Sequence, residues 1–290
     1  MKRCADITAM KECRASWRRQ GLSIALVPTM GFFHEGHLAL MRQAKTLADR
    51  VVVSLFVNPI QFGPTEDLAS YPRDIKRDSA LAAEVGVDAL FTPSAAEMYN
   101  PHFQTRVVVS GLSQGLCGAS RPGHFDGVAT VVTKLFHIVA PDVAVFGEKD
   151  FQQLAVIRRL VADLDFNLRI VGHPIIREVD GLAMSSRNTY LTKEERQAAV
   201  CLYRSLTLAK AMASTLAKDL TGEKEAAVAA IEKAVTDFIE QNPGFTVEYA
   251  TLVDGDSLLP AAKLDENCLL TLAVRVNGRV RLIDNAPLFD

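Results

Sequence analysis

An α/β fold built on a parallel sheet, followed by a smaller α+β domain, is predicted by three features of the sequence. Short apolar runs alternate with stretches of helical periodicity as far as residue 174. One of these runs, Val51-Val52-Val53-Ser54-Leu55-Phe56-Val57, is too apolar to keep a face in water, as expected of a strand covered on both sides. Beyond residue 174 the alternation gives way to two long helical stretches and then three strand patterns in succession.

The elements follow in order. Residues 24–27 read as a strand. Leu38, Met41, Ala44 and Leu47 then recur at helical spacing, so a helix runs over 36–49 and His37 falls in its first turn. Residues 51–57 return as a strand and complete a β-α-β unit. A helix over 75–85 follows Pro72, then strands at 88–91 and 106–109 and a helix over 127–139. A strand at 143–146, a helix over 151–163 and a strand at 168–171 keep the rule, with short connections. Such alternation makes a Rossmann-like sheet whose ligands bind outside the carboxyl ends of the strands. In the trailing part, helices over 193–216 and 224–241 precede strands at 245–253, 268–276 and 279–283, the last two joined by Asn277-Gly278. The implied domains are 1–174 and 175–290.

Composition excludes several classes. With 290 residues, 49% of them hydrophobic and 23% charged, the chain can bury a sizeable core in one large or two moderate domains. A net charge of -2 argues against a general nucleic-acid or anionic-membrane binder, so any anion site is local. The five cysteines are scattered, with no C-x-x-C pair, which fits a reducing cytoplasm better than a disulfide framework. No apolar run is long enough to span a membrane, and Met1-Lys2-Arg3-Cys4-Ala5-Asp6 is not followed by a signal-type apolar core. The expectation is a cytoplasmic protein with small-molecule partners, neither nucleic acid nor membrane.

Three polar clusters follow predicted strands directly and are expected to converge: His34-Glu35-Gly36-His37, the turn from Asn58 to Gly63, and Gly147-Glu148-Lys149-Asp150. The first opens a helix, where unpaired N–H groups, a partial positive charge, a glycine and two imidazoles suit a polyphosphate. Zinc binding is disfavoured, because H-E-x-x-H places its second histidine four positions on and here it comes three on. The fingerprint G-x-G-x-x-G is absent from all three, which disfavours a dinucleotide redox cofactor. A fourth polar loop runs from Asp180 through Met184-Ser185-Ser186-Arg187-Asn188; its hydroxyls and guanidinium suit phosphate oxygens, and equally a helix N-cap with a surface turn.

Taken together, Pro28-Thr29-Met30-Gly31 with His34-Glu35-Gly36-His37, Phe56-Val57-Asn58-Pro59-Ile60-Gln61-Phe62-Gly63, Tyr71-Pro72-Arg73-Asp74, Arg121-Pro122-Gly123-His124-Phe125, Phe146-Gly147-Glu148-Lys149-Asp150 and Met184-Ser185-Ser186-Arg187-Asn188 closely resemble the pantothenate synthetase (pantoate–β-alanine ligase) family. The match runs in order from residue 28 to about 191, while the C-terminal hundred residues match in size and pattern only. Phe32-Phe33 departs from the small residue and Leu more usual there, and would narrow the adenosine side of the pocket.

The resemblance implies a fold of the HxGH nucleotidylyltransferase type and an ATP-dependent condensation of (R)-pantoate with β-alanine through a pantoyl adenylate, releasing pyrophosphate and AMP. It implies a homodimer, and Mg2+ accompanying ATP. His34 and His37 would donate to the phosphates, His37 acting as proton donor to the leaving oxygen, and Lys149 would grip phosphate oxygens as a mobile charge. Met30, Gly31, Phe32, Phe33, Glu35, Gly36, Gly147, Glu148, Asp150, Ile176 and Met184 would complete the ATP site, with Ser185, Ser186 and Arg187 closing over the triphosphate. Asp150 has two candidate duties, magnesium or ribose. Gln61 and Gln153 would hold pantoate as neutral amides, Asn58 positioning them, with Phe56 and Phe62 as apolar walls and Arg121 and His124 as a gate. Two other functions share some of these features. A nucleotidylyltransferase attacking with a phosphate would release no AMP, and a non-catalytic nucleotide sensor would not need Gln61 and Gln153.

Overall fold

The computed structural model describes residues 1–64, 66–216 and 224–289. They group into two compact units. The first comprises Met1–Ser113, Arg121–Glu148 and Gln153–Ile175, and the second Gln114–Ser120, Lys149–Gln152 and the chain from Ile176 onward.

The first unit is built on a six-stranded sheet of β1 (Lys2–Cys4), β2 (Ile24–Thr29), β3 (Arg50–Leu55), β4 (Ala89–Phe91), β5 (Val143–Gly147) and β6 (Arg169–His173). The spatial order is β1-β4-β3-β2-β5-β6, and every pair is parallel. Its helices are α1 (Ile7–Arg19), α2 (Glu35–Leu47), α3 (Ile75–Val85), the single turn α4 (Ala95–Met98), α6 (His124–Val139) and α7 (Phe151–Asp163); α5 (Leu116–Ser120) belongs to the second unit. After β2 the chain moves outward through β3 to β4, then returns to lay β5 on the other side of β2. The order therefore reverses between β2 and β5, the kind of switch point outside whose carboxyl ends open α/β sheets bind ligands. Ala25, Val27, Val51, Val53, Leu90, Val143 and Val145 pack with Phe33, Leu40 and Met41 in its core, as strands without a wet face must.

Several elements differ from the sequence reading. Neither β1 nor α1 announces itself by apolar period, since β1 buries only Cys4 and α1 only Met10 and Cys13. Residues 106–109 form no strand: the Val107 amide donates to the Thr130 hydroxyl of α6 at 3.0 Å instead of to a neighbouring ladder. Helix α2 stops at Leu47, short of 49, because Ser23 and Asp49 bind each other through backbone and side chain at 2.6–2.9 Å and draw residues 48–49 out of the helix.

The second unit packs α9 (Cys201–Leu216) and α10 (Lys224–Glu240) on an antiparallel sheet of β7 (Phe245–Asp254), β8 (Cys268–Val276) and β9 (Val280–Pro287). The stretch 193–216 is not one helix. It divides into α8 (Lys193–Ala198) and α9, where the Leu202 amide reaches back only to the Ala199 carbonyl and both Ala199 and Val200 are buried. The hairpin residues Asn277 and Gly278 have positive φ, 47° and 68°, as the turn requires. Strand β9 runs on to Pro287 through Asp284 and Asn285, which pair with Leu272 and Thr271 of β8 although their polarity breaks the apolar pattern.

Candidate active site

In the first unit the site begins where β2 ends. Gly31 has φ 90° and Phe32 φ 54°, so the chain makes a left-handed turn immediately before α2. Asp78 of α3 holds that turn: the Phe32 N–H donates to one carboxylate oxygen and the Phe33 N–H to the other, each at 2.7 Å. Asp78 is buried, and burial pushes its carboxyl above the ordinary aspartate value while the two amide bonds oppose the shift. A Cβ on Gly31 would stand 3.0 Å from this carboxylate and 3.1 Å from Leu55, so a side chain there would press on both besides straining the left-handed backbone. No motif marks Asp78 in the sequence; its only sign is an acidic residue placed on the face of α3 that turns inward.

His34 is the N-cap of α2, and its Nδ1 accepts from the Gly36 N–H at 3.2 Å. His37 returns the bond, its Nδ1 accepting from the His34 N–H at 3.3 Å, and the ring centroids are 4.1 Å apart. In each ring Nδ1 is thus an acceptor, so in the neutral imidazole the proton resides on Nε2. The His37 N–H bonds the His34 carbonyl at 2.9 Å. This corrects the expectation of unpaired amides at the helix start: Phe32, Phe33, His34, Gly36 and His37 all spend their N–H groups on side chains or carbonyls of the protein. Two further expectations change. The Phe33 ring is fully buried in the core and does not narrow a pocket, while Phe32 lies 5.3 Å from the Arg77 guanidinium. Glu35 turns outward to an ion pair with Arg42.

The turn after β3 is fixed by Asn58, which is buried and fully engaged. Its amide donates to the Gln61 side-chain oxygen at 3.0 Å and to the Gly127 carbonyl of α6 at 3.1 Å, and its oxygen accepts from the Tyr99 hydroxyl at 2.7 Å. Gln61 in turn donates to the Met30 sulfur at 3.3 Å, which joins this turn to the one after β2. Asn58 is therefore a support for Gln61, and Tyr99 is a further support that no motif in the sequence marks. Gly127 permits the approach of α6: a Cβ there would lie 2.5 Å from the Ile60 carbonyl oxygen and 2.6 Å from the Gln61 Cα. Phe62 meets Tyr71 edge-on at 5.9 Å and Phe56 packs near Tyr99 at 6.2 Å. Arg121 binds Glu66 through two bonds, 2.5 and 2.7 Å, and approaches His124 at 3.0 Å; the His124 ring contacts the Gln61 carbonyl at 2.9 Å. Burial pushes the Glu66 carboxyl up, but the Arg121 guanidinium overcomes this and holds it below the ordinary glutamate value. Gly147 ends β5 opposite His173, Glu148 lies against Gly172, and Gln153 is half-buried on α7.

In the second unit Lys149 is half-buried and Asp150 exposed on a single 3-10 turn, Glu148–Asp150. The Asn285 amide donates to the Lys149 carbonyl at 3.0 Å. Gln152 is buried and ties this segment to α5, donating to the Gly115 carbonyl at 2.8 Å and accepting from the Cys117 N–H at 3.0 Å. Ile176 and Met184 face each other across a small hairpin, the Met184 N–H donating to the Ile176 carbonyl at 3.0 Å. Ser185 caps the following turn by accepting from the Arg187 N–H at 3.3 Å, and Ser186 is buried within it. Arg177, in the same hairpin, makes a two-pronged ion pair with buried Asp284 of β9 at 2.6 and 2.9 Å. Burial pushes the Asp284 carboxyl up, with Arg177 and then Lys149 drawing it back. Among the described residues no group of three His, Cys, Asp or Glu side chains is placed to hold a metal ion, and no helix is long and apolar enough to cross a membrane.

An all-parallel sheet with its order reversal at β2 and β5, and a histidine pair capping the helix after β2, define a Rossmann-like α/β enzyme of the HxGH type. The family model described as pantoate-beta-alanine ligase matches residues 2–287. Pantothenate synthetase from Desulfotalea psychrophila is 52% identical over 99% of each chain. The crystal structure of pantothenate synthetase from Thermus thermophilus superposes over the full length of both chains with a TM-score of 0.91 at 44% identity. That of the pantoate-beta-alanine ligase from Francisella tularensis, complexed with beta-gamma ATP and beta-alanine, does so over 99% of this chain and 98% of its own with a TM-score of 0.79 at 32% identity. The chain belongs to the pantoate–β-alanine ligase family.

Proposed function

We propose that this ligase joins (R)-pantoate to β-alanine with ATP, through an enzyme-bound pantoyl adenylate. The pantoate carboxylate attacks the α-phosphorus and the bond to the bridging oxygen breaks, so pyrophosphate leaves. The β-alanine amine then attacks the acyl carbon, the C–O bond to AMP breaks, and the amide forms with loss of a proton. A free carboxylate would have to expel oxide, whereas the mixed anhydride expels a weakly basic phosphate. The task is to align anions and neutralise charge as it grows on the leaving oxygens.

The observation that carries this reading is the reciprocal capping of α2 by His34 and His37, which makes Nε2 the protonated nitrogen of both neutral rings. Two preorganised N–H donors then suit a polyphosphate, and His37 is assigned the proton for the bridging oxygen. Lys149, Ser185, Ser186 and Arg187 take phosphate oxygens, with Met30, Gly31, Gly147 and Ile176 lining the nucleotide. Gln61 and Gln153 hold pantoate. β-Alanine and ATP as ligands are supported by the Francisella tularensis complex. Magnesium would enter with the triphosphate, with exposed Asp150 as a candidate carboxylate ligand or, alternatively, a ribose contact, and when bound it would supply charge neutralisation on the phosphates. The enzyme is further proposed to act as a cytoplasmic homodimer.

The test is to incubate the purified protein with ATP, magnesium, pantoate and β-alanine and to follow AMP and pantothenate. Exchange of label between pyrophosphate and ATP that requires pantoate but not β-alanine is the expected signature of the adenylate. ADP in place of AMP, or no exchange, overturns it.

A further inference from the structure

Strand β9 carries two adjacent polar residues that are both buried in its ladder with β8. Asp284 is 2% and Asn285 6% exposed, although their neighbours across β8 are Leu272 and Thr271. Burying a carboxylate and an amide there is unfavourable unless each finds hydrogen-bond partners, and both do. The Asp284 carboxylate takes the Arg177 fork at 2.6 and 2.9 Å and also accepts from the Asn285 N–H at 2.8 Å. Arg177 passes the constraint on, donating to the Gly181 carbonyl at 3.0 Å inside the hairpin that pairs Ile176 with Met184 and feeds directly into Ser185, Ser186 and Arg187. The neighbouring Asn285 side chain donates to the Lys149 carbonyl. Two consecutive residues of one strand thus hold two separate loops, one ending in the lysine and the other in the serines and arginine.

The geometry points to Asp284 and Asn285 as positioning residues that set Lys149 relative to the Ser185–Arg187 loop. Neither touches the reacting atoms. A lysine side chain is a flexible stem bearing a point charge, so the reach of its ammonium depends on where its own peptide is pinned. A ladder residue shared with β8 is a rigid place from which to pin it. The inference rests on the proposed function, because it assigns the shared task of these loops to the triphosphate.

The experiment compares Asn285→Ala, Asn285→Asp and the unmodified enzyme in pantoate-dependent pyrophosphate–ATP exchange, with melting temperatures measured alongside. Loss of one hydrogen bond that orients a charge predicts about a 5- to 10-fold fall in kcat/KM for ATP in Asn285→Ala, with KM for pantoate unchanged. Asn285→Asp is expected to fall further, since a carboxylate would face the Lys149 carbonyl and has no donor to offer it. Reaction of β-alanine with preformed pantoyl adenylate is expected to stay within about twofold of the unmodified rate, because pyrophosphate has already left. Should Asn285→Ala not fold, Asn285→Thr, whose hydroxyl sits one atom short of the amide nitrogen and does not reach the Lys149 carbonyl, is measured in its place and is expected to fall by the same factor. Unchanged exchange in the variants, or an equal fall in exchange and in the β-alanine step, overturns the inference while leaving the function standing. Absence of exchange in the unmodified protein overturns the function itself.

Discussion

Replacing Asp78 by Asn tests whether the turn before α2 is built by one carboxylate. The two side chains have nearly the same shape, but an amide has a single acceptor oxygen, so either the Phe32 or the Phe33 N–H must face an NH2 group where it now donates at 2.7 Å. A hydrogen bond to a charged acceptor contributes about 1.5–3 kcal/mol, and a stranded buried donor costs about 1–3 kcal/mol. Against this, the substitution removes a buried charge whose carboxyl is already pushed up by desolvation. A net loss of about 2 kcal/mol follows, which lowers the melting temperature by roughly 3–6 °C in a chain of this size. Because the turn leads straight into His34, the exchange rate is expected to fall about 10- to 100-fold, below the ceiling set by complete loss of a preorganised donor. The two pH effects have opposite signs. A carboxyl raised in the folded state favours folding at low pH and withdraws that contribution as pH rises through its folded value. The ionised form that accepts from both amides is lost as pH falls through the same value, so an acid limb in exchange is expected in the unmodified enzyme and not in Asp78→Asn. Melting and exchange at wild-type values in Asp78→Asn, with the acid limb intact, would refute the reasoning.

Gly127→Ala inserts a Cβ 2.5 Å from the Ile60 carbonyl oxygen, so α6 must back away from the Gln61 turn; overpacking of this kind costs about 1–3 kcal/mol, and KM for pantoate is expected to rise more than KM for ATP. Glu66 is held below its ordinary value by Arg121, so its contribution to stability is present above the unfolded value and is lost as pH falls through the lowered folded one. Glu66→Gln is therefore expected to flatten the acid side of a stability-against-pH curve, as read by urea midpoints. Lys149→Ala is expected to slow exchange by about 100- to 1000-fold with little change in melting temperature, because its side chain is half-buried and outside the core; a change under about threefold, less than 1 kcal/mol of barrier, would remove it from the phosphate site.

The parallel sheet was legible because its strands are apolar on both faces and its helices are spaced by short connections. Ile75–Val85, Phe151–Asp163 and Cys268–Val276 fall where periodicity puts them. The misses share a cause. β1 is three residues long with one buried side chain, α1 hides its two, and 106–109 looks like a strand by composition but gives its amide to Thr130. Motifs marked Asn58, Gln61 and the histidines, since such residues are grouped along the chain. They did not mark Asp78, Tyr99, Gln152, Asp284 or Asn285, whose partners lie far away in sequence and whose polarity looks like ordinary surface until burial is known. Donor counting was also beyond the letters: H-E-G-H shows a helix start with histidines, not that ring nitrogens would take the His34 and Gly36 amides and the His34 carbonyl that of His37.

The mutual embrace of His34 and His37 makes the two rings one thermodynamic object. Each imidazole secures a peptide on which the other's placement depends, so removing either one unmoors its companion as well as deleting its own proton. Single replacements at these positions therefore report overlapping losses, and their sum overstates what the pair contributes.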